Sequence, residues 1–85
     1  MAKYELLIRP SVAKDVRGIP RSDLEKILGR IQSLREDPRP PGCVRLSGSE
    51  CYRIRQGDYR IVYEIHYDRV VVIVVRVGHR RDVYR

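Results

Sequence analysis

The chain has 85 residues, enough for one small domain with a modest core, and residues 1–85 are expected to form a single domain. It carries 18 Lys and Arg against 11 Asp and Glu, a formal net charge of +7. Its longest apolar run, Val70 to Val75, is far too short to span a bilayer, so no membrane partner is expected. The composition predicts a basic domain with an anionic partner, and nucleic acid is the leading class.

The positive charge is concentrated in the second half of the chain. Residues 1–38 hold 8 basic and 6 acidic side chains, whereas residues 39–85 hold 10 and 5. Most of the cations are arginines, which recognise phosphate with two parallel hydrogen bonds and do not lose their charge. We therefore expect the anion-binding surface in the C-terminal half.

Cysteine usage and the first residues indicate the cellular compartment. Cys43 and Cys51 complete no zinc pattern with other Cys or His residues, so free thiols in a reducing cytoplasm are expected, without a metal or cofactor. Lys3, Glu5 and Arg9 interrupt any apolar run near the start, which argues against a secretory signal. A cytoplasmic location is the expectation.

The first half of the chain predicts one strand and two helices. Tyr4 to Ile8 reads as a strand ended by Pro10, and Ser11 to Arg17 as a short helix broken by Gly18. The capping-box sequence Ser22-Asp23-Leu24-Glu25 predicts a longer helix with Ser22 as its N-cap. This helix has an apolar stripe at helical spacing, formed by Leu24, Ile27, Leu28, Ile31 and Leu34.

The second half predicts an antiparallel meander with strands at about 51–56, 59–67 and 70–77. Gly57-Asp58 and Asp68-Arg69 are its expected turns. The last strand is almost continuously apolar, which suits a central strand, and the first strand is expected to pair beside it. The predicted fold is a compact α+β domain of order β-α-α-β-β-β. It has an antiparallel sheet of about four strands, with the two N-terminal helices packed on one face.

Three arginines fall on one face of the predicted hairpin. Arg53 and Arg55 share a face because successive side chains of a strand alternate, and a turn at Gly57-Asp58 pairs Arg55 with Arg60. Like charges directly opposite one another destabilise a sheet, so the cluster predicts an anion; a solvated charged face is the alternative. Four tyrosines have the opposite parity and are expected to face the helices: Tyr52, Tyr59, Tyr63 and Tyr67.

The C-terminal segment adds more polar groups near this hairpin. A regular pairing of the last two strands places Val77 opposite Arg60, so the tail after Gly78 is expected to emerge beside the arginines. That brings Arg80, Arg81 and Tyr84 within reach of the same surface, with His79 next to them; fraying of the terminus is the alternative. Glu64 is expected to pair with a neighbouring arginine, and His66 to be structural.

Three motifs in this half resemble the RelE family of bacterial and archaeal toxins. They are the Tyr-Arg-Ile-Arg strand at 52–55, Gly-Asp-Tyr-Arg-Ile-Val-Tyr-Glu-Ile at 57–65, and Val-Gly-His-Arg-Arg-Asp-Val-Tyr at 77–84. The Arg-Pro-Ser opening at 9–11 is also similar, and the resemblance covers nearly the whole chain. It implies a toxin of a type II toxin–antitoxin system. Such a toxin is a metal-independent endoribonuclease, or mRNA interferase, that cuts messenger RNA in the ribosomal A site and so inhibits translation.

The same resemblance implies a set of partners. The first is an acidic, RelB-like antitoxin that neutralises the toxin. The others are messenger RNA on the ribosome, 16S rRNA, and operator DNA bound only by the toxin–antitoxin complex. Neither a cofactor nor a metal is implied.

Residue roles follow from matching the motifs of the family. The catalytic candidates are Arg60, Arg80 and Tyr84, and the RNA-binding candidates are Arg53, Arg55, His79 and Arg81. In this chemistry a 2′-OH attacks the adjacent phosphorus, and preorganised cations stabilise the negative charge that develops. Tyr84 would act as general base or as a stacking platform, and His79 competes with it for proton transfer. The choice between Arg80 and Arg81 stays open.

Two other functions remain compatible with the sequence. One is a ParE-type inhibitor of DNA gyrase, which shares the fold and cuts no RNA. The other is an inactive relic that retains only antitoxin and operator binding. The basic strand pair together with the terminal tyrosine favours the nuclease.

Overall fold

The structure, a computed structural model, describes residues 3–46 and 50–79, and it contains two helices and five strands in these ranges. The elements in chain order are β1 (Glu5–Ile8), α1 (Val12–Asp15), α2 (Arg21–Ser33), β2 (Val44–Arg45), β3 (Cys51–Gln56), β4 (Tyr59–His66) and β5 (Val71–His79). The predicted α+β class and element order are confirmed. The sheet has five strands rather than about four, because the two-residue strand β2 pairs with the edge of β3. Neither described helix is long and apolar enough to cross a membrane.

The five strands form one sheet in the order β1-β5-β4-β3-β2, and this sheet is mixed rather than antiparallel as predicted. The pairs from β2 to β5 are antiparallel, whereas β1 runs parallel to β5. A parallel pair needs a crossover connection, and the helices lie in the chain between β1 and the meander. The predicted pairing of the first strand beside the last is confirmed, and it makes β5 an interior strand.

The core lies between the two helices and one face of the sheet. α1 packs against β5, and α2 packs against β3 and β4. Burial of apolar surface stabilises this layer by about 25 cal/mol per Å². The core side chains are Val12, Ile27, Ile31, Leu34, Tyr52, Ile54, Ile61, Tyr63, Ile65, Val72, Val74 and Val77.

The start of α2 and the width of its buried stripe both differ from the sequence-based expectation. Pro20 is its N-cap, with φ −53° and ψ 142°, and the Pro20 carbonyl accepts the first helical bond from Leu24 N–H at 2.9 Å. The predicted cap at Ser22 is therefore wrong, since Ser22 lies inside the helix and its side chain forms no cap. The extended backbone at Pro20 already aims its carbonyl along the helix axis. In addition, Leu28 is 45% exposed, so the buried stripe is narrower than predicted.

The two hairpin turns of the meander differ in regularity. The Gly57-Asp58 turn is confirmed: Gln56 pairs with Tyr59, and Gly57 has φ +61°, as the first central residue of a type II′ turn requires. The second connection is a four-residue loop, 67–70, rather than the predicted two-residue turn. Tyr67 lies in this loop and is 52% exposed, but its ring meets that of Tyr4 edge to face at 6.4 Å on the helix side of the sheet, as predicted.

A β-bulge in β5 changes the register of the last strand pair. Tyr63 pairs with Val74, but its neighbour Val62 pairs with Arg76, which leaves Val75 as an extra residue. The predicted pairing of Val77 with Arg60 is therefore wrong, because Gly78 occupies that position. The bulge turns Val77, which is 2% exposed, into the core, whereas a regular strand would have placed it on the opposite face.

Candidate nucleic-acid interface

Four arginines of β3, β4 and β5 share the sheet face that points away from the helices. We call this surface, formed by Arg53, Arg55, Arg60 and Arg76, the arginine face. Arg55 pairs directly with Arg60, and Arg53 lies two residues before Arg55 on β3. Arg76 pairs with Val62, which in turn pairs with Arg53. The face therefore has two adjacent rows, Arg53–Val62–Arg76 and Arg55–Arg60–Gly78.

Arg60 is the most deeply buried cation of this surface. It is 6% exposed, and no other charged or polar residue of the described ranges is classed as buried. Arginine is rarely this deeply buried, since removing a charge from water is costly. On one side of Arg60 lies Arg55, and on the other lies Gly78, which adds no side chain to the row. The fold thus holds a guanidinium at a fixed position inside a cationic environment.

The sequence alone did not predict that Arg76 belongs to the arginine face. A regular β5 would have paired Arg76 with Ile61, on the core side of the sheet. The bulge moves it onto the arginine face, where it is exposed and diagonal to Arg60. Such diagonal neighbours lie about 7–8 Å apart. The sequence does not indicate the bulge, because the valine and isoleucine residues before Arg76 are compatible with either face of the sheet.

Glu64 lies on the same face, at the end of β4 farther from the Gly57-Asp58 turn. The Glu64 carboxylate contacts Arg9 Nη2 at 3.4 Å and His66 Nε2 at 2.8 Å. This confirms the predicted pairing of Glu64 with an arginine. Glu64 lies four residues beyond Arg60 on β4, a separation of about 13 Å along the strand. The end of the face nearest the Gly57-Asp58 turn therefore remains strongly positive.

His79 pairs with the residue that precedes Arg60, but its side chain lies on the other side of the sheet. It pairs with Tyr59, and the two rings meet edge to face with centroids 5.7 Å apart. Because paired residues share a face and Tyr59 precedes Arg60, His79 is directed away from the arginine face. Its predicted part in RNA binding or proton transfer stays a prediction. Arg80, Arg81 and Tyr84 lie outside the described residues.

A second polar cluster lies on the helix side and serves the core. Tyr52 and Tyr63 are stacked with centroids 5.9 Å apart, and the Arg39 guanidinium lies over the Tyr52 ring at 5.8 Å. The Tyr63 hydroxyl donates a hydrogen bond to the Pro38 carbonyl at 2.7 Å. Burial raises the pKa of Tyr63 above its ordinary value, so this hydroxyl stays protonated and anchors the segment that joins α2 to β2.

The thiols and acidic groups offer little chemistry of their own. Cys43 and Cys51 are half-buried and form no disulfide, in agreement with the predicted thiol state. Within residues 3–46 and 50–79, no group of three or more His, Cys, Asp or Glu side chains is arranged to hold a metal ion. The described part of the site is therefore a cationic surface with one buried guanidinium, suited to contacting a phosphodiester backbone.

Comparison with known proteins identifies the family. The sequence model described as the ParE toxin of the type II toxin–antitoxin system parDE matches residues 6–84. RelE1 of Methanocaldococcus jannaschii is 32% identical over 87 residues, covering 98% of this chain and 97% of that protein. Toxin RelG of Mycobacterium tuberculosis is 32% identical over 75 residues, covering 76% of this chain and 86% of that protein.

Solved structures agree with this relationship. RelE in the archaeal RelE–RelB complex of Pyrococcus horikoshii superposes with a TM-score of 0.83 at 24% identity, covering 95% of this chain and 99% of that one. The intact RelBE toxin–antitoxin complex of Escherichia coli gives a TM-score of 0.75 at 30% identity, covering 89% of this chain and 95% of that one. The chain belongs to the RelE family of type II toxins, within the RelE/ParE superfamily.

Proposed function

We propose that this chain is a ribosome-dependent endoribonuclease that cuts messenger RNA in the A site and so inhibits translation. The observation that supports it most directly is Arg60, 6% exposed and directly opposite Arg55. Like charges directly opposite one another destabilise a sheet, so this pairing is favoured when an anion binds there. The phosphodiester of RNA is an anion whose charge increases during cleavage.

The proposed reaction uses the RNA as its own nucleophile. The 2′-OH loses its proton and attacks the adjacent phosphorus, and the bond from phosphorus to the 5′-oxygen breaks as that oxygen gains a proton. Arg60 and Arg80 would stabilise the phosphorane, a role in which preorganised cations are most effective. Arg53, Arg55 and Arg81 would hold the flanking phosphates.

Proton transfer is assigned to the C-terminal residues. Tyr84 is the proposed general base, with stacking on the neighbouring base as its other role. His79 would contact RNA or compete as the proton-transfer group. Its ring packs against Tyr59 on the far side of the sheet, which makes Tyr84 the better candidate. Such modest catalytic groups suit an enzyme whose substrate is positioned by the ribosome.

The proposed partners follow from the relatives and from the charge. An acidic, RelB-like antitoxin is proposed because the E. coli relative was solved in a RelBE toxin–antitoxin complex, and because this chain has a net charge of +7. Messenger RNA and 16S rRNA would be contacted on the ribosome. Operator DNA would be bound only by the toxin–antitoxin complex. These targets imply a cytoplasmic location.

A second candidate is inhibition of DNA gyrase, which the description of the matching family as ParE toxin favours. Mapping of 5′ ends in cellular RNA after induced expression separates the two functions. The nuclease predicts new cuts inside translated codons, and Arg60→Ala should lower cleavage by about 10²–10³-fold. Growth arrest with DNA damage and intact messenger RNA would instead indicate gyrase.

Two variants complete this experiment. Tyr84→Ala should also suppress cleavage if that residue transfers a proton or stacks. Arg69→Ala is the matched control, because it removes one exposed arginine from the loop 67–70, which joins β4 to β5 at the end of β4 far from Arg60. If the wild-type chain neither cuts RNA nor arrests growth, the chain is an inactive relic and the proposal is wrong.

A further inference from the structure

The geometry of β5 points to a phosphate-binding residue that the family motifs do not mark. We propose that Arg76 binds a backbone phosphate of single-stranded RNA beyond the phosphates held by Arg53 and Arg55. The inference rests on the proposed function, since it extends the same surface to a third strand.

Arg76 lies at one end of a row of residues that crosses three strands of the sheet. It completes the row Arg53–Val62–Arg76 across β3, β4 and β5. Strands are spaced about 4.8 Å apart, so the backbones at Arg53 and Arg76 are about 10 Å apart. Arg60 lies in the adjacent row between these two columns. A strand of RNA that crosses the face over Arg60 can therefore reach cations on both sides.

Hydrogen bonds on either side of Val75 hold the bulge in place. Arg9 N–H donates to the Val74 carbonyl at 3.0 Å, and Val77 N–H donates to Asp15 Oδ2 at 3.1 Å. These bonds come from the end of β1 and from α1. They fix the register after the bulge and hence the face on which Arg76 lies. Asp15 is therefore a positioning residue for Arg76.

The neighbours of Arg76 on the arginine face leave room for a phosphate beside Arg60. Two residues further on, Gly78 leaves the place beside Arg60 without a side chain. Within the row, the residue paired with Arg76 is Val62, which is 7% exposed and carries no charge. Glu64 is the other diagonal neighbour of Arg76, and its carboxylate contacts Arg9 and His66. On the side of the Gly57-Asp58 turn, Arg60 is the diagonal neighbour of Arg76, so a phosphate between the two meets two cations.

Binding of a fluorescein-labelled single-stranded oligoribonucleotide to the free chain tests the proposal. Anisotropy titrations between about 50 and 200 mM salt give the slope of log K against log[salt]. Each phosphate of a single strand that the protein neutralises adds about 0.7 to the steepness of this slope. Arg76→Ala should reduce the steepness by this amount and weaken binding about tenfold at low salt. Arg76→Lys should restore the slope, because it retains the charge.

Arg69→Ala is the control for net charge, and its slope should stay at the wild-type value. Equal slopes for Arg76→Ala and wild type would overturn the proposal. So would an Arg76→Ala variant that binds RNA normally and loses only antitoxin binding, because Arg76 would then belong to the antitoxin interface. Urea unfolding of each variant checks the fold, and exposed substitutions of this kind change stability by about 0.5 kcal/mol or less.

The result is separable from the proposed nuclease function. A wild-type chain that binds RNA through Arg76 and cuts nothing would refute the nuclease and retain the role of Arg76 in phosphate binding. A wild-type chain that cuts RNA while Arg76→Ala binds and cuts equally well would retain the nuclease and refute that role.

Discussion

The backbone N–H of Val77 donates a hydrogen bond to Oδ2 of Asp15 at 3.1 Å, and this bond joins α1 to β5 just beyond the bulge. Val77 is 2% exposed, so its N–H has little access to water. β1 ends at Ile8 and offers no further backbone acceptor at this level of β5. The Asp15 side chain of α1 thus supplies the hydrogen-bond acceptor that a neighbouring strand would otherwise provide.

Replacing Asp15 with alanine removes that acceptor. We expect Asp15→Ala to lower the free energy of unfolding by about 1–3 kcal/mol, since it leaves a buried donor unsatisfied. Asp15→Asn keeps a side-chain oxygen and should cost less. Urea unfolding gives the stabilities, and hydrogen exchange of the Val77 amide should accelerate in the alanine variant. Wild-type exchange at Val77 in Asp15→Ala would contradict the role of this bond.

Tyr63 should determine part of the stability through its hydroxyl. The Tyr63→Phe variant loses the hydrogen bond to the Pro38 carbonyl, and we expect the free energy of unfolding to fall by about 1–2 kcal/mol. Tyr67→Phe should cost less, because Tyr67 is 52% exposed and its hydroxyl bonds to the guanidinium of Arg39, which is itself exposed. Chemical denaturation near neutral pH measures both variants. A larger loss for Tyr67→Phe would contradict the expectation.

The same hydroxyl predicts a loss of stability at alkaline pH. Burial raises the pKa of Tyr63 in the folded chain, whereas an unfolded tyrosine titrates near pH 10. The neutral hydroxyl therefore stabilises the fold fully below about pH 10, and this contribution is lost as the pH rises toward the folded-state pKa. The free energy of unfolding should fall more steeply above about pH 10 in the wild type than in Tyr63→Phe. Parallel curves for the two chains would disprove this linkage.

Arg55 should stabilise RNA binding at a cost to the fold. It faces Arg60 directly, and like charges in this arrangement are destabilising by about 0.2–1 kcal/mol. We expect Arg55→Gln to raise the free energy of unfolding by that amount while it weakens RNA binding. The stability gain should shrink in about 1 M salt because screening weakens the repulsion. Arg69→Gln, at an exposed loop position, is the control that should change neither quantity appreciably.

Val70 adopts a left-handed backbone with φ +55°, which is unfavourable for a β-branched residue. Val70→Asn should raise the free energy of unfolding by about 1 kcal/mol, since asparagine tolerates this conformation. The lost burial is small because Val70 is 39% exposed. Val44→Asn is the matched control: Val44 is 42% exposed and is not among the described residues with positive φ. Thermal unfolding should show a gain for Val70→Asn alone.

The sequence by itself determined the features that depend on local chemistry. Alternation of side chains is a local rule, so the shared face of Arg53 and Arg55 could be predicted from the strand alone. The Gly57-Asp58 turn then aligned Arg60 with Arg55 because a two-residue loop permits one register. The order of helices and strands followed from periodicity and from breakers such as Gly18. These motifs also sufficed to indicate the RelE family.

Only the tertiary structure decided which face the end of β5 presents. The run Val70 to Val75 is apolar throughout, so alternation within it carries no signal and an inserted residue leaves no trace. The bulge at Val75 depends on acceptors and donors supplied by α1 and β1, far away in sequence. It brought Arg76 onto the arginine face, set Gly78 rather than Val77 beside Arg60, and directed His79 toward Tyr59. Because the register of β5 after the bulge depends on hydrogen bonds to residues distant in sequence, the sequence of β5 alone does not predict it.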